Sequence, residues 1–72
     1  MSNSPTPVGA GFIEAAKTSC RAKIEEAQAK VELYLNCAQG VADHAGIMEE
    51  ILSAAEQGAH AEDVLNFLEK RW

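Results

Sequence analysis

Cationic side chains are scarce in this chain: six lysines and arginines stand against 11 aspartates and glutamates, a net charge of −5. That balance disfavours general binding to phosphate backbones, which requires a surplus of positive charge. Aromatic residues make up only 6% of the chain and no nucleic-acid recognition motif accompanies them, so a nucleic-acid role ranks last. No apolar run approaches the ~20 residues that a membrane span needs. Met1 to Thr6 is polar, without a basic or apolar stretch of the secretory kind, so the chain is not expected to be secreted. Cys20 and Cys37 are the only cysteines, too few for a disulfide framework and not a CxxC pair, which fits a reducing compartment.

What is present is alanine. The hydrophobic share is 47%, but 13 of those residues are alanines, and each buries little area. A chain of 72 residues buries only roughly 60% of its unfolded surface. Self-association or a partner is therefore the expected source of further stability.

Both prolines lie in the first seven residues, as Pro5 and Pro7, and Gly9 and Gly11 follow closely. Residues 1–11 read as a flexible arm, and 12–72 as one helical domain. From Phe12 to Ala38 there is neither proline nor glycine, and strong helix formers dominate. Gly40 suits a left-handed helix stop and Asp43 an N-cap. The expected fold is all-α: an antiparallel two-helix hairpin with helices at about 12–38 and 44–72. A break near Gly58 is the alternative to one continuous second helix.

Periodicity favours continuity. Ile47, Ile51, Ala54, Gly58, Ala61, Leu65, Leu68 and Trp72 follow steps of four and three, an unbroken heptad seam through the glycine. The first helix repeats the pattern with Ile13, Lys17, Cys20, Ile24, Ala27, Val31, Tyr34 and Ala38. Folded antiparallel, the two stripes pair large against small: Tyr34 with Ile51, Val31 with Ala54, Ile24 with Ala61, Cys20 with Leu65. Ile13 falls to Trp72, and Ala27 meets Gly58 at a close approach. Lys17 opposite Leu68 is the misfit, near the open end where a lysine can snorkel to water.

Apolar residues also lie off the seam. Met48, Leu52, Ala55 and Ala59 form a second stripe on the second helix, Leu33 and Leu35 flank the first, and Val64 and Phe67 lie on the other flank. Leu33, Met48, Leu52, Val64 and Phe67 are the candidate interface, which a four-helix bundle of two hairpins would bury. The alternative is a wide core stripe wrapped by the arm, with Val8 and Phe12 packing back. Charge is uneven as well. Residues 24–61 carry one lysine against seven acids, a net −6, while the remaining residues at the open end sum to +1.

No constellation points to catalysis. Cys37 and His44 flank the same loop, but no third residue would orient such a pair. On one helix the two cysteines would stand ~25 Å apart, beyond disulfide reach. His44 and His60 are too far apart to share a metal ion, and His60 with Glu62 and Asp63 lacks a one-face ligand spacing. No phosphate-cradling glycine loop is present. The reading is a non-enzyme without cofactor, metal or catalytic residues.

Val31-Glu32-Leu33-Tyr34-Leu35-Asn36, then Gly40-Val41, Asp43-His44 and Ile47-Met48-Glu49-Glu50-Ile51, resemble an element of small α-helical proteins from tailed marine phages. The ending from Ala61 to Trp72 is similar to theirs as well. The likeness spans roughly the last 42 residues, and this chain lacks the two loop prolines of that pattern and carries Ala42 in place of its second loop glycine. The resemblance implies a phage protein with no catalytic residues, located in the virion or host cytoplasm. A virion-associated or assembly component, binding itself or other phage subunits, is the leading expectation. A host-directed effector that binds a host protein is the rival, and a small nucleic-acid-binding regulator the third.

Overall fold

The computed structural model describes residues 6–37 and 44–72. It consists of two helices packed against each other, α1 (Pro7–Cys37) and α2 (His44–Arg71), with no strand among the described residues. Their antiparallel sense follows from contacts at matched heights. Tyr34, late in α1, reaches Glu50, early in α2, while Arg21 reaches Glu69. The fold is the expected all-α hairpin. Residues 38–43, with the stop at Gly40, the cap at Asp43 and the seam position Ala38, lie outside the described residues.

Helix α1 begins earlier than composition implies, at Pro7 and not Phe12. Thr6 explains the difference. Its Oγ1 accepts the Gly9 N–H at 3.0 Å, and its carbonyl accepts the Ala10 N–H at 2.7 Å. This is an N-cap followed by proline in the first helical position, where a missing N–H costs nothing. The two glycines that suggested an arm are thereby carried into the helix, and residues 7–11 belong to the hairpin. Val8 and Phe12 remain exposed and do not pack back on the core.

Helix α2 runs unbroken through Gly58. Lys70 and Arg71 occupy its last turn, where positive charge suits the carbonyl end of the dipole. Trp72 follows the helix, tied by its N–H to the Leu68 carbonyl at 2.8 Å. Its side chain is 40% exposed, so the buried stripe ends at Leu68 and the tryptophan does not extend it.

The buried residues are Lys17, Cys20 and Ala27 on α1 and Ala54, Gly58 and Ala61 on α2. Between them fall half-buried Ile13, Ile24, Val31, Tyr34, Ile51, Leu65 and Leu68. Together they keep the three–four spacing that holds one stripe of a helix against its neighbour. The resulting body is a rod of 54 × 17 × 12 Å with a radius of gyration of 16.5 Å. A compact domain of this length has a radius near 11 Å. Two helices side by side have no third layer to close over their flanks, and large apolar side chains stay at the surface.

Candidate functional site

The seam divides the surface of the hairpin into two broad faces with different chemistry. On one face a shallow groove of 270 Å³ runs between the helices. Ala27 and Gly58 belong to its floor, Ile24, Val31, Ala55 and Ala59 to its walls, with Gln28 and Glu62 at the edges. A Cβ placed on Gly58 would stand 2.9 Å from the Ala27 Cβ, closer than two such carbons ever pack. The glycine is what permits this approach of the two backbones.

Helical spacing places three large side chains on the same face beyond the groove's loop-proximal end. Leu35 is one turn past Val31, and Met48 and Leu52 lie on the Ala55–Ala59 stripe. They are 57%, 59% and 54% exposed. Leu35 stands beside the seam in the sequence pattern, but its share in this patch is clear only once Val31 is seen to line the groove.

The opposite face is polar. A groove of 520 Å³ is lined there by Lys23, Glu26, Ser53, Glu56, Gln57 and His60, with Ala61. Next to it Lys30, Tyr34 and Glu50 line a smaller one. The Tyr34 hydroxyl donates to Glu50 Oε2 at 2.9 Å, and Lys30 Nζ lies 3.8 Å from Glu26 Oε2. The hydrogen bond to Glu50, and then the negative charge of that carboxylate, raise the Tyr34 phenol above its ordinary value of 10.0. These groups satisfy one another across and along the helices.

The five candidate interface residues do not form one patch. Met48 and Leu52 share the groove face. Val64 and Phe67 lie on the other flank of α2 toward the open end, where the Arg71 guanidinium stands 3.7 Å from the centre of the Phe67 ring. Leu33 is exposed on the outer side of α1. Of the seam residues, Cys20, Ala27, Ala54, Gly58 and Ala61 are buried, Ile13, Ile24, Val31, Tyr34, Ile51, Leu65 and Leu68 are half-buried around them, and Trp72 is exposed.

Lys17 is buried, contrary to the expectation that it snorkels. Its side chain is 10% exposed and its Nζ sits 3.5 Å from Glu14 Oε2. The glutamate is one turn earlier on α1 and holds the ammonium at the edge of the seam. Cys20 is a buried free thiol and Cys37 an exposed one. Among the described residues no group of three or more His, Cys, Asp or Glu side chains is placed to hold a metal ion. No helix among them is long and apolar enough to cross a membrane. No protein-family model, curated protein or solved structure matches the chain.

Proposed function

We propose that this chain is a non-enzymatic protein–protein interaction module whose apolar groove face is the working surface. One observation carries the reading: the buried apolar side chains are small, while Leu35, Met48 and Leu52 stay exposed on the same face as an apolar groove, beyond one end of it. Contiguous apolar surface of this kind marks an association site. The resemblance to small proteins of tailed phages points to a virion-associated or assembly component as its setting. Mass spectrometry of purified particles tests this, with many stoichiometric copies expected. Absence from particles, together with recovery of the chain on a host protein, would replace that setting by the host-directed one. The acidity of residues 24–61, net −6, favours a basic surface on such a host partner.

A further inference from the structure

The accessible surface of the chain is 5391 Å². A compact folded protein of this mass exposes about 4,300 Å², so the hairpin carries an excess of about 1,000 Å². A standard stable interface takes about 800 Å² from each partner. The excess is of the size that one protomer contributes to a stable dimer.

We infer that a second copy of this chain covers the groove face, docked antiparallel so that two hairpins form a four-helix bundle. This rests on the reading of the chain as an association module and names its partner. A twofold interface must be self-complementary, because the same patch meets itself. The groove face meets that condition: it carries projecting side chains and a hollow, displaced along the rod. From the Met48–Leu52 pair to the Ala55–Ala59 pair is seven residues, or about 10 Å of helix. A twofold axis lying in the interface and crossing α2 near Ala54 exchanges the two. Leu52 and Met48 of one copy then rest on Ala55 and Ala59 of the other, and Leu35 enters beside Val31. Every neighbouring pair of helices in the bundle is antiparallel.

Geometry selects this direction over the parallel one. An axis along the rod keeps every residue at its own height, so it would set projecting side chains against projecting side chains and hollow against hollow, whereas the axis across the rod exchanges them. The groove of the opposite face is lined by charged and polar side chains, among them Lys23, Glu26, Glu56 and His60, which a second copy would have to strip of water.

Sedimentation equilibrium of the full chain tests the inference, with a dimer expected at micromolar concentration. Leu52→Glu or Ala59→Glu is expected to weaken it by about 100-fold or more, because each dimer then buries two unpaired carboxylates. Gln57→Glu, on the polar face, is expected to leave it unchanged. A wild-type chain that is helical and monomeric at about 100 µM would overturn the inference. Should a charge substitution also unfold the hairpin, a photo-cross-linking residue at position 52, used in the native cell, decides. A link to a second copy supports the dimer. A link only to a different protein overturns the dimer and leaves the association reading standing, and a folded chain that links to nothing overturns both.

Discussion

The middle of the seam and its two ends hold the helices together by different means. In the middle, Ala27, Ala54, Gly58 and Ala61 are buried, and the helices touch nearly backbone to backbone at the Ala27–Gly58 crossing. At the open end Arg21 bridges to Glu69 of the other helix, near a buried lysine paired within its own helix to Glu14, and at the loop end a tyrosine donates to Glu50. The difference teaches where this hairpin draws its stability. Small residues bury little area each, at about 25 cal/mol per Å² of apolar surface. What they supply is proximity, which lets many weak dispersion contacts form along the rod. The polar ends add direction and register, and neither end adds much buried apolar area.

Substitution in the middle is expected to have the largest effect. Gly58→Leu drives a side chain into the Ala27 contact and should destabilise the hairpin by roughly 2–3 kcal/mol, as overpacking of a tight core does. Urea unfolding at fixed protein concentration measures the loss. Gly58→Ala is the finer probe. Alanine gains up to about 1 kcal/mol in helix propensity, yet its Cβ would meet a rigid Ala27 Cβ at 2.9 Å. The clash is expected to cancel that gain. In an Ala27→Gly background, where no Cβ stands opposite, Gly58→Ala should instead yield the full propensity gain of about 1 kcal/mol, and the difference between the two backgrounds measures the close approach. If Gly58→Ala alone stabilises by the full propensity gain, the close approach is wrong and the middle is no different from the ends.

The open end should respond in the other direction. Lys17 is nearly enclosed, while its partner Glu14 is 68% exposed, so the lysine has lost water without gaining an enclosed counter-ion. Replacing a buried charge with an apolar side chain of similar length often stabilises. Lys17→Met is expected to raise unfolding stability by about 1 kcal/mol, read from the urea midpoint at an unchanged slope. Arg21→Gln, which removes the solvent-exposed bridge to Glu69, should change stability by less than about 0.5 kcal/mol. A loss from Lys17→Met larger than that from Arg21→Gln would show the buried lysine to be a stabilising element of the seam.

Much of this fold is legible in the sequence because a heptad stripe is a one-dimensional signal. Ile24, Ala27 and Val31 recur at helical spacing, and so do Ala54, Gly58 and Ala61, whatever the tertiary context. An unbroken phase was sufficient to carry α2 through Gly58, although the residue taken alone suggests a turn. The start of α1 was harder to read. Pro7, Gly9 and Gly11 all argue against a helix by propensity, and the opposing term is a single side-chain hydrogen bond from Gly9 N–H to Thr6. The burial of Lys17 is not legible in the sequence, because the open end of a hairpin suggests access to water, whereas the lysine lies within the seam. The candidate interface was only partly legible. Met48, Leu52, Val64 and Phe67 are equally apolar by composition, but which of them share a face depends on the side from which α1 approaches. Periodicity on α2 alone does not carry that information.

The smallest expected effect belongs to the loop end, and it depends on pH. Tyr34 donates to Glu50, and that bond, with the carboxylate's charge, raises the phenol above its ordinary value of 10.0. A group whose folded pKa is raised adds stability while it keeps its proton. The contribution is fully present below the unfolded value near 10, and is lost as pH rises through the higher folded value. Tyr34→Phe should therefore lower stability at neutral pH by less than Lys17→Met raises it, and should flatten the alkaline part of the stability profile. The chain has a single tyrosine, so phenolate absorbance during an alkaline titration reports this group alone. Glu50→Gln keeps a hydrogen-bond acceptor and removes the charge, and should move the phenolate midpoint back toward 10. A wild-type midpoint already at 10, and unmoved by Glu50→Gln, would mean that the clasp at the loop end is open in solution, leaving the middle of the seam to set the register without it.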